Sequence, residues 1–191
     1  MRLTAPRLTP LSDEALTPEQ TKALATLAEP WRGLNLFRTT VRSPDGLASL
    51  LPAGDYIRSA STLPVREREI VILRIGWLCR SGYEWTQHVF MGRQAGLSKD
   101  EVAAVKAGAD TAVWSPADRA LIRACDELHA DQFITPSTWA ALGEHFDEAQ
   151  VMDVVFVAGH YVTVSMITNA FGVQLDEGQR LDPELYRPAE G

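Results

Sequence analysis

Glu84 and His88 are the residues of this sequence whose types and spacing best suit acid–base chemistry. They are four positions apart, so on an α-helix their side chains lie on one face. A carboxylate beside an imidazole orients the ring and favours its protonated form, and the ring can then transfer a proton near neutral pH. An earlier carboxylate, Glu69, could stay protonated and act as an acid if it is buried against apolar walls. We therefore predict an acid–base site formed by Glu69, Glu84 and His88.

Each of these three residues also has a structural interpretation. The stretch Ser81-Gly82-Tyr83-Glu84 is a capping-box pattern, in which the glutamate carboxylate binds the backbone N–H of the serine. His88 could be a core histidine with satisfied hydrogen bonds. Glu69 lies among arginines and could form a structural ion pair. The sequence leaves these alternatives open, and capping and catalysis do not exclude each other.

Two helices joined by a short turn must position the site. The apolar residues between Pro64 and Gly96 follow helical spacing, and the turn at Ser81-Gly82 separates a first helix, ending near Arg80, from a second. Glu69 lies on the first helix. It therefore reaches His88 only if the second helix folds back on the first.

The rest of the chain is predicted to be helical as well. Ser/Thr-Pro and capping-box patterns mark further helix starts, and the apolar residues from Ala120 to Leu128 form a stripe with helical spacing. No stretch shows sustained alternation of apolar and polar residues. We predict an all-α, single-domain bundle of about eight helices over residues 1–191, with a polar C-terminal arm over residues 174–191.

The composition is that of an ordinary globular domain with an acidic surface. The 191 residues are 46% hydrophobic and carry a formal net charge of -7, which argues against nucleic acid as a partner. The N-terminus lacks the apolar segment of a signal peptide, so we expect a cytoplasmic protein. The segment from Val151 to Phe171 is apolar, but Asp153, His160 and Asn169 within it are costly in lipid. We interpret it as a buried core helix and expect no membrane partner.

The spacing Glu69-x11-Ser81-x2-Glu84-x3-His88 resembles that of the alkyl hydroperoxidase D (AhpD) and carboxymuconolactone decarboxylase superfamily. The redox branch of this superfamily has the pattern Glu-x11-Cys-x2-Cys-x3-His, with a peroxidatic and a resolving cysteine and a Glu–His proton relay. Here Ser81 and Glu84 occupy the two cysteine positions. The decarboxylase branch has glutamate and histidine at the positions of Glu84 and His88. The resemblance covers roughly residues 50–176, and the chain is identified as a member that lacks the cysteine pair.

The resemblance implies an AhpD-like helical fold and a cofactor-free, metal-free lyase or isomerase, similar to carboxymuconolactone decarboxylase, that acts on a small carboxylated or carbonyl substrate. In this interpretation His88 transfers the key proton, Glu84 orients it, and Glu69 supports it or serves as a second acid. The resemblance also implies a homo-oligomer, either a trimer or a hexamer. Three apolar residues of a loosely patterned early segment are available for subunit contacts: Leu34, Leu36 and Phe37.

Six further residues are expected to bind the substrate. An arginine can hold a carboxylate with two parallel hydrogen bonds, and aromatic side chains can line a pocket. Packing inside a core is the alternative role for those on the C-terminal helix. The expected substrate-binding residues are Ser81, Arg66, Arg74, Trp85, His160 and Tyr161.

Three other functions stay open on the sequence. Peroxide reduction by a cysteine pair needs a thiolate and a resolving thiol, and Ser81 and Glu84 can supply neither. A peroxidase-like antioxidant protein would have to use a cysteine outside the motif, such as Cys79. A ligand-binding or assembly protein could keep the fold without catalysis. Glu84, His88 and His160 could also hold a metal ion, although we expect neither metal nor cofactor.

Overall fold

The computed structural model describes residues 3–186, and α-helices account for most of this range, with no β-strand within it. The predicted all-α fold is confirmed, with nine α-helices among the described residues rather than about eight. The helices are α1 (Pro18–Leu24), α2 (Asn35–Thr40), α3 (Pro44–Ser59), α4 (Val65–Leu78), α5 (Gly82–Gln94), α6 (Lys99–Ala107), α7 (Pro116–Asp131), α8 (Pro136–Gly143) and α9 (Glu148–Phe171). Short 3-10 helices cover Asp13–Ala15, Trp31–Gly33 and Pro183–Leu185.

Side-chain caps at the helix starts follow the sequence patterns closely. The helices that begin at serine, threonine or aspartate caps have backbone N–H groups satisfied by those side chains, each worth about 1 kcal/mol. Three caps are complete capping boxes with bonds in both directions: Thr17 with Gln20, Ser98 with Glu101, and Asp147 with Gln150. Since these elements are defined locally, their boundaries could be read from the chain itself.

Helix α4 lies at the centre of the bundle. It packs against α5, α6, α7 and α9, and the side chains of Ile70, Val71, Leu73 and Ile75 are completely buried. Because neighbours surround α4, three of its charged residues, Arg68, Glu69 and Arg74, are buried too. Whether each of these buried charged groups has a hydrogen-bond partner therefore matters for stability and for the site.

Helix α5 folds back on α4 through a tight turn. Arg80 has a left-handed backbone conformation, with φ of 53°, which reverses the chain between the two helices. The helices then approach closely at Gly92, where an added Cβ atom would lie 2.9 Å from Leu97 Cδ1 and 3.2 Å from Leu73 Cδ1. This antiparallel pairing brings the cavity-facing residues of α4 and α5 together.

Helix α9 is long and apolar enough, by length and composition alone, to cross a membrane. One side packs against α3, α4, α5, α7 and α8 and buries Asp153 and Val157. The opposite side exposes Met152, Phe156 and Met166. One side of α9 is therefore buried, as predicted for a core helix, whereas the other side is exposed.

The described part of the C-terminal arm is attached to the bundle. Asp176 accepts hydrogen bonds from the Tyr83 hydroxyl at 2.8 Å and from the Gln87 side chain at 2.6 Å. Asp182 and Glu184 both form ion pairs with Lys106. The last part of the predicted arm, residues 187–191, lies outside the described residues.

Candidate active site

His88 lies between two buried carboxyl groups. A hydrogen bond of 2.8 Å joins His88 Nδ1 on α5 to Glu69 Oε2 on α4. Glu84, one turn before His88, places its Oε2 atom 3.8 Å from His88 Nε2, a distance that allows an ion pair but not a direct hydrogen bond. All three residues are less than 9% exposed. The structure therefore brings together the three residues that the sequence predicts as catalytic.

The geometry assigns the orienting bond to Glu69 rather than to Glu84. Glu69 holds Nδ1, and in the neutral ring this leaves Nε2 as the nitrogen that can accept a proton. That nitrogen is on the Glu84 side. This arrangement reverses the two carboxylate roles that the sequence analysis assigned, because a residue four positions away need not be the one that reaches the ring.

Glu84 does not complete the capping box that its sequence pattern suggests. Ser81 Oγ accepts the Glu84 N–H at 3.3 Å, so the serine caps α5. The Ser81 N–H, however, donates to the Gly76 carbonyl at 2.9 Å and not to the Glu84 carboxylate. Glu84 Oε1 is buried without a hydrogen-bond partner among residues 3–186. The carboxyl group is thus free of the capping role.

Burial sets the proton affinity of Glu84. Removal from water raises the pKa of Glu84 from 4.5 to about 7, and the nearby charge of His88 opposes that rise. Near neutral pH this carboxyl group is therefore present in both its protonated and its ionised form. A group with this balance can both donate and accept a proton at physiological pH.

Opposing effects act on the imidazole. Burial lowers the pKa of His88, but the charge and hydrogen bond of Glu69, together with the charge of Glu84, raise it, and the net shift is upward. Arg68 acts in the opposite direction to the carboxylates. Two titratable groups whose pKa values are both raised thus lie next to each other, an arrangement often found at catalytic sites.

The three residues line a cavity of about 550 Å³, a volume in the range of small-molecule sites. The ring of Tyr161 meets His88 edge-on, with 4.9 Å between the ring centroids. Leu34, Leu36 and Phe37, which were considered above for subunit contacts, line this cavity. Apolar side chains form much of the remaining wall, among them Leu27, Trp31, Leu51, Ile57, Ile72, Met91 and Val164.

Two of the six expected substrate-binding residues line this cavity, namely His160 and Tyr161. Burial lowers the pKa of His160, which favours its neutral form. Ser81 and Trp85 have other surroundings. Ser81 is fully buried and shares a 2.9 Å hydrogen bond with Thr168, while Trp85 packs against the neighbouring Trp77 ring.

The two arginines expected to bind substrate do not line the cavity. Arg66 contacts Asp118 at 2.8 Å and also pairs with Glu101. Arg74 donates to Asp126 at 2.6 Å, and to the backbone carbonyls of Val105 and Lys106 at the end of α6. Their guanidinium groups are committed to structural contacts, which corrects the expectation that they hold a substrate carboxylate.

Arg68 also lines the cavity, although the sequence patterns did not predict it as a site residue. It lines the cavity beside Glu69, whereas Arg66 points to other partners. Helical periodicity favours a neighbour three positions away over an adjacent one, so it favours Arg66 as the partner of Glu69. The only signal for Arg68 was its place next to Glu69, and that signal does not distinguish the arginines of α4.

Neither the metal nor the thiol alternative gains support from the geometry. No group of three or more His, Cys, Asp or Glu side chains within residues 3–186 is arranged to hold a metal ion. Burial raises the pKa of Cys79 and also that of Cys125, which disfavours the reactive thiolate. Both cysteines are free thiols.

Comparison with known proteins agrees with this fold. Residues 44–127 match the carboxymuconolactone decarboxylase family, a range that contains Glu69, Glu84 and His88. No curated protein matched the chain. The fold is that of an AhpD-like all-α protein. The matched segment thus resembles the carboxymuconolactone decarboxylase family, with Ser81 and Glu84 at the positions where the redox branch has cysteines.

Solved structures share the fold at low sequence identity. A peroxidase-related protein with an AhpD core from Ralstonia eutropha is 17% identical, with a TM-score of 0.72 over 93% of this chain and 94% of that one. A putative antioxidant defence protein AhpD from Agrobacterium tumefaciens is 21% identical, with a TM-score of 0.66 over 71% and 93%. The debrominase Bmp8, in complex with 2,3,4-tribromopyrrole, is 12% identical, with a TM-score of 0.70 over 91% and 94%.

Proposed function

We propose that this protein is a cofactor-free lyase or isomerase that moves protons on a small carboxylated or carbonyl substrate. The observation that carries the proposal is the unpartnered carboxyl group of Glu84 in the cavity, 3.8 Å from the free nitrogen of a histidine that Glu69 holds in place. A purely structural carboxyl group would be saturated with donors. Glu84 instead keeps an unfilled acceptor beside a second proton-transfer group.

The geometry suggests a division of labour for the reaction. His88 Nε2 accepts a proton from a carbon next to a carbonyl group, and Glu69 stabilises the imidazolium that forms. Protonated Glu84 returns a proton to another carbon or oxygen of the substrate. The electrons of the broken C–H bond move into the conjugated carbonyl, so the substrate needs such a group. In a lyase reaction, CO2 would leave with the broken C–C bond and the same acid would protonate the remaining carbon.

Solvent deuterium exchange tests this proposal before the natural substrate is known. A panel of small keto acids and lactones is incubated with the protein in D2O, and C–H exchange and product formation are followed by proton NMR. Wild type is expected to accelerate exchange or turnover of at least one compound, and His88→Gln to lose about 10²- to 10⁴-fold of that rate. Ser81→Ala is the matched control, since it removes a helix cap outside the cavity wall. Equal rates in wild type and His88→Gln would rule out the mechanism.

The exposed side of α9 supports self-association as a second aspect of function. Met152, Phe156 and Met166 are each about half exposed or more, and together they form an apolar surface on one helix. Surfaces of this kind mark contacts with other proteins. We propose that this face forms the interface of a homo-oligomer, as a trimer or a hexamer. Light scattering checks it, since Phe156→Glu should shift the assembly towards monomer while Phe90→Glu, at an exposed position on α5, should not.

A further inference from the structure

Arg68 is a buried cation without an ion-pair or hydrogen-bond partner among residues 3–186. It is 9% exposed and lines the cavity, yet its guanidinium group forms no ion pair and donates no hydrogen bond to any of the described residues. A guanidinium group keeps its charge inside a protein and offers five N–H donors. Burying such a charge without compensation costs several kcal/mol. An anionic ligand bound in the cavity would therefore compensate the charge of Arg68.

The other buried arginine of α4 shows what compensation looks like in this bundle. Arg74 is equally buried, at 8% exposure, but three acceptors surround its guanidinium group. Since Arg68 and Arg74 lie on the same helix at the same depth, burial alone does not explain the difference. Because Arg68 lines the cavity, a ligand there could accept hydrogen bonds from its guanidinium group.

Arg68 lines the same cavity as the proton-transfer groups Glu84 and His88. Its charge lowers the pKa of His88 and also acts on Tyr161, whose ring lies against the histidine. An anion bound to Arg68 would therefore lie beside the reacting end of the cavity. The body of the ligand would extend along the apolar wall that includes Trp31 and Met91.

We propose that Arg68 binds the carboxylate of the substrate, and that this substrate is an apolar monocarboxylic acid rather than a dicarboxylic acid. The other arginine of the cavity wall, Arg58, already pairs with Asp55 and has a half-exposed side chain. No lysine within residues 3–186 lines the cavity. A second carboxylate on the ligand would thus have no free cation and would lie near Glu69 and Glu84.

Carboxylate binding by Arg68 also favours isomerisation over decarboxylation. This step of the inference rests on the proposed function. An arginine that binds a carboxylate stabilises the negative charge on that group, whereas decarboxylation moves that charge away from it. Such binding is stronger in the ground state than in the transition state and would slow CO2 loss. The anchored carboxylate is therefore retained. His88 takes a proton from one carbon and Glu84 returns a proton to another position, so an isomerisation balances without any co-reactant.

Ligand binding by the whole protein tests the anchor. Phenylacetate, its uncharged analogue phenylacetamide and the dianion phenylsuccinate are titrated by calorimetry at about pH 6, where Glu84 is mostly protonated. We expect phenylacetate to bind at least about ten-fold more tightly than either of the others, the gain typical of a good charge-assisted pair. Arg68→Met should abolish the preference for acid over amide, and Arg68→Lys should keep part of it. Arg58→Met, which alters the paired arginine of the same wall, should leave it unchanged.

Several results would contradict carboxylate binding by Arg68. Two concern the acid and the amide: equal affinity for both, or a preference for the acid that survives in Arg68→Met. The others are a dianion that binds as tightly as the monoanion, and no saturable binding of phenylacetate in the millimolar range. His88→Gln separates this inference from the catalytic proposal. The His88→Gln protein should still prefer phenylacetate over phenylacetamide, so carboxylate binding by Arg68 can hold even if the catalytic proposal fails. If Arg68 does not bind the carboxylate, proton transfer by His88 is still tested separately by its exchange rates.

Discussion

Asp153 and Glu84 are both buried carboxyl groups on helices of the same bundle, and their surroundings are opposite. Asp153 on α9 is 1% exposed and accepts five hydrogen bonds, from Tyr56, Ser61, Leu63 and twice from Thr62. Glu84 has an oxygen with no donor among the described residues. Although burial raises the pKa of Asp153, its hydrogen bonds outweigh burial and lower it, whereas the pKa of Glu84 rises to about 7.

Asp153 and Glu84 thus differ in whether hydrogen bonds from the protein satisfy the buried carboxyl group. The five bonds of Asp153 hold the segment between α3 and α4, so they fix where the central helix begins. The Oε1 atom of Glu84, in contrast, accepts no hydrogen bond from residues 3–186. The same division applies to the arginines of α4, since Arg74 is saturated and Arg68 is not. Unsatisfied buried charge is unfavourable for stability, and both Glu84 and Arg68 line the cavity.

Replacing Asp153 should have the largest effect on stability. In Asp153→Ala the hydroxyl of Tyr56 and the backbone N–H groups of Thr62 and Leu63 lose a buried acceptor. We expect a loss of about 4 kcal/mol, consistent with breaking a buried network. That loss corresponds to a fall in melting temperature of roughly 10 °C for a chain of this size. Urea unfolding followed by circular dichroism measures it, and a loss below about 1 kcal/mol would contradict the structural role.

Replacing Glu84 should change how stability depends on pH. Because the pKa of Glu84 is raised from 4.5 to about 7, the folded protein binds more protons than the unfolded chain between these values, and stability falls as pH rises through that window. The shift corresponds to roughly 3 kcal/mol. In Glu84→Gln this fall should largely disappear, so the variant should be more stable than wild type at pH 8 and similar to it near pH 4.5.

Asp153→Asn is the matched control for the pH experiment. The pKa of Asp153 is lowered, so its contribution is present above the unfolded value of 3.8 and is lost as pH falls through the folded pKa. The two substitutions should therefore affect opposite ends of the pH range. Unfolding free energies measured from pH 3 to pH 8 test both, and a Glu84→Gln profile parallel to that of wild type would refute the raised pKa.

Replacing the two buried arginines of α4 by methionine should have unequal effects. Arg74→Met removes a donor to Asp126 and to two carbonyls at the end of α6, and we expect a loss of about 2 kcal/mol. Arg68→Met removes an uncompensated charge, so its stability should stay within about 0.5 kcal/mol of wild type or increase. Thermal unfolding of both proteins in the same buffer checks the difference, and equal losses would show that Arg68 has a partner in the protein.

Local signals predicted the helices well and the site only in part. The caps at Thr17, Ser98 and Asp147 and the break near Arg80 lie close to where the sequence placed them, since caps and turns depend on neighbouring residues. Which carboxylate holds His88 depends on how α4 and α5 cross, and no local pattern encodes that crossing. The assignment of Arg66 failed for a similar reason. Its partner Asp118 is distant in sequence, and only the folded chain brings the two together.

The smallest loss among the residues with structural partners is expected at Ser81, which belongs to the same sequence motif as Glu84. Its hydroxyl caps α5 and contacts Thr168, so Ser81→Ala should cost about 1 kcal/mol. Because Glu84 makes no return bond to the Ser81 backbone, the pKa of Glu84 and the pH profile of stability should stay as in wild type. Urea unfolding at pH 5 and pH 8 distinguishes the roles. A uniform small loss fits a helix cap, whereas a loss confined to one pH would mean that the hydroxyl takes part in the titration of the site.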